Sequence, residues 1–162
     1  MATRNVIYYG DDTLRKRAKE VTRFDAKLAL LLEDMTETLA IYNGAGLAAP
    51  QVGILRRVAI VDIGEGIIEL INPVLIAAEG ESEGMEGCLS FPEKYGLVKR
   101  PDKVTVKAQD RNGEFFEVEG EGFLARALCH EVDHLDGKLF IDLATEFLNP
   151  EAAFQNEESE LR

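Results

Sequence analysis

The sequence predicts one α+β domain in which antiparallel β-sheets pack around a central HExxH helix, preceded by an N-terminal helix. Two segments have apolar residues at helical spacing, one near each end of the chain, and β-branched runs lie between them. Because the strands follow one another instead of alternating with helices, the order indicates an α+β fold and not βαβ units. The 162 residues fit a single domain with a substantial core.

The two predicted helices are marked by apolar spacing and by residues placed to begin and end them. The first spans residues 25–42, with Asp25 as its cap and Asn43-Gly44 at its end. Its apolar residues are Leu28, Leu31, Leu32, Met35 and Leu39. The second spans residues 123–135, and Gly137 is placed to stop it.

The predicted strands lie between these helices. Residues 58–63 and 67–76 are β-branched runs broken by glycine, which predicts a hairpin. Residues 104–108 and 115–118 flank an Asn-Gly pair that is typical of a tight hairpin turn. The glycine-rich segment 79–88, which ends in a cysteine, is predicted to be a loop that carries function.

Composition and charge restrict the partners and the compartment that we expect. The net charge of −12 would repel phosphates, so no nucleic-acid partner is expected. The N-terminus lacks a secretory pattern and no run of about 18 apolar residues is present, so no membrane partner is expected. The two cysteines are then expected to be reduced thiols. We expect a cytoplasmic protein, with an organelle stroma or matrix as the alternative if a transit peptide has been removed.

The strongest local signal is the motif His130-Glu131-Val132-Asp133-His134. Residues four apart on a helix lie about 40° apart around its axis, so both imidazoles face one point. Two histidines at this spacing are typical metal ligands, and the glutamate between them is typical of a general base. These are the only two histidines in the chain, which favours a metal site over a pair of surface side chains.

A third protein ligand is needed if a reactive water is to hold the fourth position of the metal. The candidates are a downstream carboxylate, Glu146 or Glu151, or a cysteine. Cys129 is a poor candidate, because one step along a helix turns its side chain about 100° from that of His130. Cys88 lies in a glycine-containing segment able to bring a thiolate to the helix. The residues alone favour Cys88 only modestly over a carboxylate.

Three ordered motifs carry a resemblance to a known family. GAGLAAPQ at residues 44–51, EGCLS at residues 86–90 and HEVDHLDG at residues 130–137 resemble, in order and spacing, the motifs of peptide deformylases. The resemblance covers residues 1–146 as a catalytic domain. It implies one divalent metal ion per chain, held by Cys88, His130 and His134. Ferrous iron is the family's usual ion and the expected native one, and Zn2+, Ni2+ or Co2+ are expected to occupy the same ligands in purified protein.

The resemblance also implies the catalytic roles and the substrate. Glu131 would take a proton from the attacking water and pass it to the leaving amine, while the Gln51 side-chain amide and the Leu89 N–H would form the oxyanion site. The substrate would be an N-formylmethionyl nascent chain, which binds beside the glycine triplet and places its methionine in an apolar pocket. The matching substrate-binding positions are Gly44, Ala45, Gly46, Gly87, Phe123, Arg126 and Ala127.

Several positions depart from the common family pattern. The glutamine that usually precedes the first histidine is Cys129 here, and the middle residue of the glycine triplet, often isoleucine, is Ala45. Residues 147–162 form a short acidic tail, where many bacterial members have a basic helix that touches the ribosome. Such short tails resemble those of phage members, and Ser90-Phe91-Pro92 followed by Tyr95 resembles the variant of plant organelle and some phage members. We expect no ribosome contact through this tail, and a monomer.

Two other classes of protein compete with this interpretation. One is an HExxH metallopeptidase with Glu146 or Glu151 as its third ligand, and mutation of Cys88 distinguishes it from a deformylase. The other is a non-enzymatic module with a structural metal. Structural zinc sites usually close with four protein ligands, and the sequence offers only three good ones.

Overall fold

The computed structural model describes residues 2–148, in which two antiparallel sheets pack with helices and confirm the predicted α+β class. The helices are α1 (Ala26–Tyr42), α2 (Gly122–Leu135) and α3 (Phe140–Leu143). The strands are β1 (Gly46–Ala48), β2 (Val58–Asp62), β3 (Ile67–Glu79), β4 (Ser82–Cys88), β5 (Phe91–Arg100), β6 (Lys103–Gln109), β7 (Phe115–Glu121) and β8 (Glu146–Leu148). Within residues 2–148, no helix combines the length and the apolar character needed to cross a bilayer.

Helix α1 begins and ends where the sequence predicts. Asp25 is its N-cap, and the Asp25 side chain accepts a hydrogen bond from the Leu28 N–H at 3.1 Å. Asn43 ends the helix in the left-handed conformation, with a φ of 52°. The apolar face of α1 packs against the five-stranded sheet, where Leu28, Leu32 and Met35 are fully buried.

The five-stranded sheet has the order β1-β2-β3-β6-β7, and each neighbouring pair is antiparallel. Both predicted hairpins are present, β2 with β3 and β6 with β7. Side chains of β2 alternate between the two faces: Val58 and Ile60 pack with α1, whereas Val61 packs in the cluster that contains α2. The sheet is therefore covered by a helix on each face, and this packing fixes the position of α2.

The second sheet has three strands in the order β4-β5-β8. The prediction of a loop at residues 79–88 is wrong for most of its length, because residues 82–88 form β4. The glycines of this strand permit close packing: a Cβ on Gly84 would lie 2.8 Å from the Arg126 guanidinium, and one on Gly87 would lie 3.0 Å from the Tyr95 ring. A glycine-rich strand of this kind lacks the β-branched signal on which sequence reasoning depends.

Strand β8 pairs with β5, with Leu148 opposite Tyr95. This strand begins at Glu146, the predicted last residue of the catalytic domain, and continues to Leu148. The domain boundary stays a prediction. Residues 149–162 of the predicted acidic tail lie outside the described residues, and so does Glu151, one of the candidate third ligands.

Candidate active site

Helix α2 carries the HExxH motif in its last turns. His130 and His134 are one helical turn apart, with 4.9 Å between their ring centroids. Both are buried, with exposed fractions of 8% and 1%. Gly137 follows the helix with a φ of 75°, and its N–H donates to the His134 carbonyl. Because the helix persists to Leu135, its geometry aims both imidazoles at one region, as the spacing predicts.

Strand β4 ends at Cys88, whose Sγ lies 3.3 Å from His134 Nε2. The ligand atoms of Cys88, His130 and His134 all lie within 4.8 Å of one another, and residues 2–148 contain no other such group. Glu146, in contrast, is exposed on β8. Burial lowers the pKa of His134 well below its ordinary value, whereas for His130 the effect of burial is outweighed by Cys88, Glu131 and Glu86, which raise its pKa well above the ordinary value. One thiol and two imidazoles form a donor set that fits a tetrahedral site for zinc or ferrous iron with one open position.

A buried charge network holds His130 from the side opposite this group. Glu86 Oε1 lies 2.9 Å from His130 Nδ1, and the Arg100 guanidinium donates to both Glu86 oxygens at 2.8 and 2.9 Å. Arg100 also donates to Asp133 at 2.6 Å. Burial alone raises the pKa of Glu86, but hydrogen bonds from Arg100 and His130 outweigh it and lower the pKa to about 2. Glu86 is therefore an anion, and it orients the His130 ring.

Sequence reasoning missed this network, although a signal was present. Glu86 is the first residue of the EGCLS motif, and Arg100, 14 positions later, directly precedes a proline. A charged residue inside a motif of small and apolar residues indicates a buried partner of opposite charge, because isolated buried charges are rare.

Arg126 ties α2 to the three-stranded sheet. Its Nη1 donates to Glu86 Oε2 at 2.9 Å and to the Val98 carbonyl at 2.8 Å, and its Nη2 donates to the Ser82 carbonyl at 3.1 Å. The side chain is only 12% exposed. Since Arg126 uses its donors within the protein, it lines the cavity with its aliphatic part and holds β4 against the helix.

Glu131 lies on α2 next to strand β1. The residue is 3% exposed, and its Oε1 has no hydrogen-bond partner within residues 2–148. Burial raises the pKa of Glu131 to about 7, against the opposing effect of His130. Such a group can both accept and return a proton near neutral pH. A Cβ on Gly46 would lie 2.8 Å from Glu131 Cδ, so the glycine makes room for the carboxylate.

Gln51 lies in a 3₁₀ turn, Ala49–Val52, directly after β1. Its Oε1 accepts the Ala48 N–H at 2.9 Å, which fixes the amide so that the nitrogen faces the site. Gln51 Nε2 lies 3.2 Å from Ser90 Oγ and 3.4 Å from Cys88 Sγ. The Leu89 N–H, which follows Cys88 in the chain, has no hydrogen-bond partner among the described residues 2–148. Two N–H donors, one from the turn after β1 and one from the turn after β4, therefore lie next to Cys88.

A cavity of about 570 Å³ opens beside these groups. Glu131, Gln51 and Leu89 line it, together with all the predicted substrate-binding residues, namely Gly44, Ala45, Gly46, Gly87, Phe123, Arg126 and Ala127. Phe123 is 60% exposed at the mouth, whereas Ala127 is buried. Sequence reasoning missed the aromatic residues Tyr42 and Tyr95 of the lining, because they come from α1 and β5 and no short motif connects them.

Cys129 does not belong to the thiol–imidazole group. It packs in the apolar cluster between α2 and the five-stranded sheet, with Val61 and Leu70 among its members. Burial raises its pKa to about 11, so the side chain is a protonated thiol at neutral pH. The residue that departs from the family pattern therefore fills core space.

An HExxH helix between two antiparallel sheets, with a thiol beside its two imidazoles, defines the class of metal-dependent hydrolases. Residues 3–150 match the family model described as polypeptide deformylase. The peptide deformylase of Thermoanaerobacter pseudethanolicus is 54% identical over 158 residues, which cover 98% of this chain and 99% of that protein. The chain belongs to the peptide deformylase family.

Solved structures give the same result. The crystal structure of peptide deformylase from Thermotoga maritima superposes with a TM-score of 0.88 at 44% identity, covering 90% of this chain and 99% of that one. The Synechococcus elongatus peptide deformylase, solved in complex with actinonin, has a TM-score of 0.86 at 38% identity and covers 95% of this chain and 85% of that one. The chain is therefore a metallohydrolase that removes the N-formyl group from the formylmethionine of nascent peptides.

Proposed function

We propose that Cys88, His130 and His134 bind one divalent metal ion per chain and that Glu131 is the general base of deformylation. One observation carries this proposal: three potential ligand atoms lie within 4.8 Å of one another, next to a buried carboxylate oxygen without a partner in the described chain. We propose ferrous iron as the native ion, with Zn2+, Ni2+ or Co2+ as substitutes. When bound, such an ion supplies a water of lowered pKa as the nucleophile and polarises the formyl carbonyl.

Glu131 moves the proton in this proposal. Its buried carboxylate, with Oε1 free of partners in the described chain, is placed to take the proton from the attacking water and then to deliver it to the amine nitrogen as the C–N bond breaks. An amine is a poor leaving group without a proton, so both transfers are required. The burial of Glu131 supports this role, because it keeps the acid and base forms close in energy.

Gln51 and Leu89 are the proposed oxyanion donors. The Gln51 amide is held through its oxygen by Ala48, which leaves Nε2 to donate, and the Leu89 N–H is free of protein acceptors within residues 2–148. Fixed N–H donors stabilise the negative charge that develops on the carbonyl oxygen as water attacks.

The peptide is proposed to bind along β1. This strand is at one edge of the five-stranded sheet, so the backbone groups of Gly46 that face away from β2 are available to an added strand. The formylated methionine would then occupy the cavity lined by Gly44, Gly87 and Ala127. We also propose a cytoplasmic monomer whose tail makes no ribosome contact and which binds neither nucleic acid nor membrane.

Formate release from formyl-Met-Ala-Ser by anaerobically purified protein tests the proposal. Wild-type protein should release one formate per peptide, and Cys88→Ala should lose both the metal and the activity. The exposed residue Glu83, on the same strand, offers the matched control Glu83→Ala, which should retain both. If Cys88→Ala kept a full complement of metal and full activity, the proposed ligand set would be wrong.

A further inference from the structure

The first residues of the described chain connect the two turns that carry the proposed oxyanion donors. The Ile7 N–H donates to the Gln51 carbonyl at 2.8 Å, and the Tyr9 N–H donates to the Ser90 carbonyl at 2.9 Å. Gln51 follows β1 of the five-stranded sheet, whereas Ser90 lies between β4 and β5 of the three-stranded sheet. Residues 6–9, the N-terminal strap, therefore join the two sheets at the site.

The strap is anchored by side chains that do not depend on these two bonds. Val6 is buried in the cluster beneath α1, and Ile7 packs in the separate cluster that contains Phe91. The Tyr9 ring stacks on Phe91, with 5.1 Å between centroids and 15° between ring planes. Because Val6 is buried and one face of the Tyr9 ring stacks on Phe91, the main chain between them is held beside both turns.

We propose that the N-terminal strap is a positioning element that sets the distance between the Gln51 amide and the Leu89 N–H. This inference rests on the proposed oxyanion roles of those two residues. Across the sheets, Gln51 Nε2 also reaches Ser90 Oγ at 3.2 Å, but that contact uses the same amide that must serve the substrate. The strap instead holds the main chain of each turn and leaves the amide free to donate.

A small displacement of either turn is expected to lower the rate of deformylation. Oxyanion donors act when they lie about 2.7–3.1 Å from the developing charge, and a misplacement of about 1 Å costs on the order of 10²-fold in rate. Loosening one strap bond should therefore lower kcat, whereas KM, which reflects the peptide contacts along β1, should change little.

Replacement of the Ile7 amide by an ester tests the proposal, because an oxygen in place of the N–H removes one donor and keeps the side chain. The matched control is the same replacement at Asn5, whose N–H has no acceptor within the described residues. With formyl-Met-Ala-Ser as substrate, the Ile7 ester should lower kcat by about tenfold, less than the loss expected from deleting a donor. KM and bound metal should be unchanged, and the Asn5 ester should match wild type.

Repeating the ester replacement in Gln51→Leu protein distinguishes a positioning role of the strap from a general loss of stability. If the strap acts through Gln51, the Ile7 ester should have little further effect on kcat in Gln51→Leu protein, since coupled residues are not additive. An equal loss of kcat in both backgrounds, or an Ile7 ester with wild-type kcat, would overturn the positioning role. Failure of the unmodified protein to release formate would instead refute the proposed function, so the two outcomes are distinguishable.

Discussion

Glu86 and His130 are joined by a 2.9 Å contact between Oε1 and Nδ1, and Arg100 in turn holds both oxygens of Glu86. An anionic partner at Nδ1 favours the tautomer that has its proton there, which leaves the Nε2 lone pair for a metal. The orientation of one proposed ligand thus depends on an ion pair that is itself buried, with each side chain 4% exposed.

Glu86→Gln should weaken metal binding by about 10–100-fold, the usual effect of removing a partner that orients a ligand. Stability should also fall, but by less than the roughly 3–5 kcal/mol of a fully unpaired buried charge, because Asp133 still pairs with Arg100. Chelator competition and thermal unfolding measure the two effects, with Glu83→Gln on the exposed part of β4 as control. Wild-type metal affinity in Glu86→Gln would contradict the orienting role.

Glu131→Gln should retain the metal and lose about 10²–10⁴-fold in turnover, because the amide keeps the shape of the side chain but cannot accept the proton. Metal analysis and formate release on the same preparation check both parts. Glu119→Gln, at an exposed position of β7, should leave both values unchanged. Turnover above about a tenth of wild type would rule out general-base catalysis by Glu131.

Gly46→Ala should reduce turnover while the protein stays folded and bound to its metal. The added Cβ would lie 2.8 Å from Glu131 Cδ, so the carboxylate must move, and a shift of about 1 Å costs on the order of 10²-fold. Steady-state kinetics with circular dichroism and metal analysis would test this. Wild-type kcat would show that Glu131 adjusts without loss, and its proposed position would then not be critical.

Truncation after Asn149 should leave activity on short formylated peptides nearly unchanged. The removed segment contains Glu151, Glu157, Glu158 and Glu160 against Arg162, and acidic side chains cannot neutralise ribosomal phosphates. We also expect that the tail does not bind ribosomes. Co-sedimentation of full-length and truncated protein with ribosomes, at low and moderate salt, tests this expectation. Pelleting that requires the tail and disappears as salt rises would contradict it.

Periodicity and short motifs predicted the elements that carry their own local signals. Helix α1 has a cap, an apolar stripe and a left-handed end, and the β6–β7 hairpin has its Asn-Gly turn, so each was predicted close to its observed bounds. Strand β4 was not predicted, because its glycines make room for side chains that are distant in the sequence. Gly84 makes room for Arg126, which is 42 positions away and invisible to local pattern analysis.

Local motifs likewise predicted some residues of the candidate site and not others. The HExxH spacing indicated two imidazoles on one face, and the order of three motifs indicated Cys88 beside them. The strap was not predicted, because it depends on long-range backbone hydrogen bonds. The charge of Glu86 within EGCLS indicates a buried cationic partner, but no local pattern identifies that partner as Arg100. The sequence therefore predicted the candidate site residues, but not the contacts that hold their side chains in position.

Titration of the metal-free protein with iron tests whether deformylation requires one metal ion bound by Cys88, His130 and His134. Metal-free protein is loaded anaerobically with increasing ferrous iron, and the release of formate from formyl-Met-Ala-Ser is measured against the iron bound. We expect no activity without metal, a linear rise as iron binds, and a plateau at one ion per chain. Full activity in the metal-free protein, or a plateau that Cys88→Ala reaches with the same affinity, would contradict it.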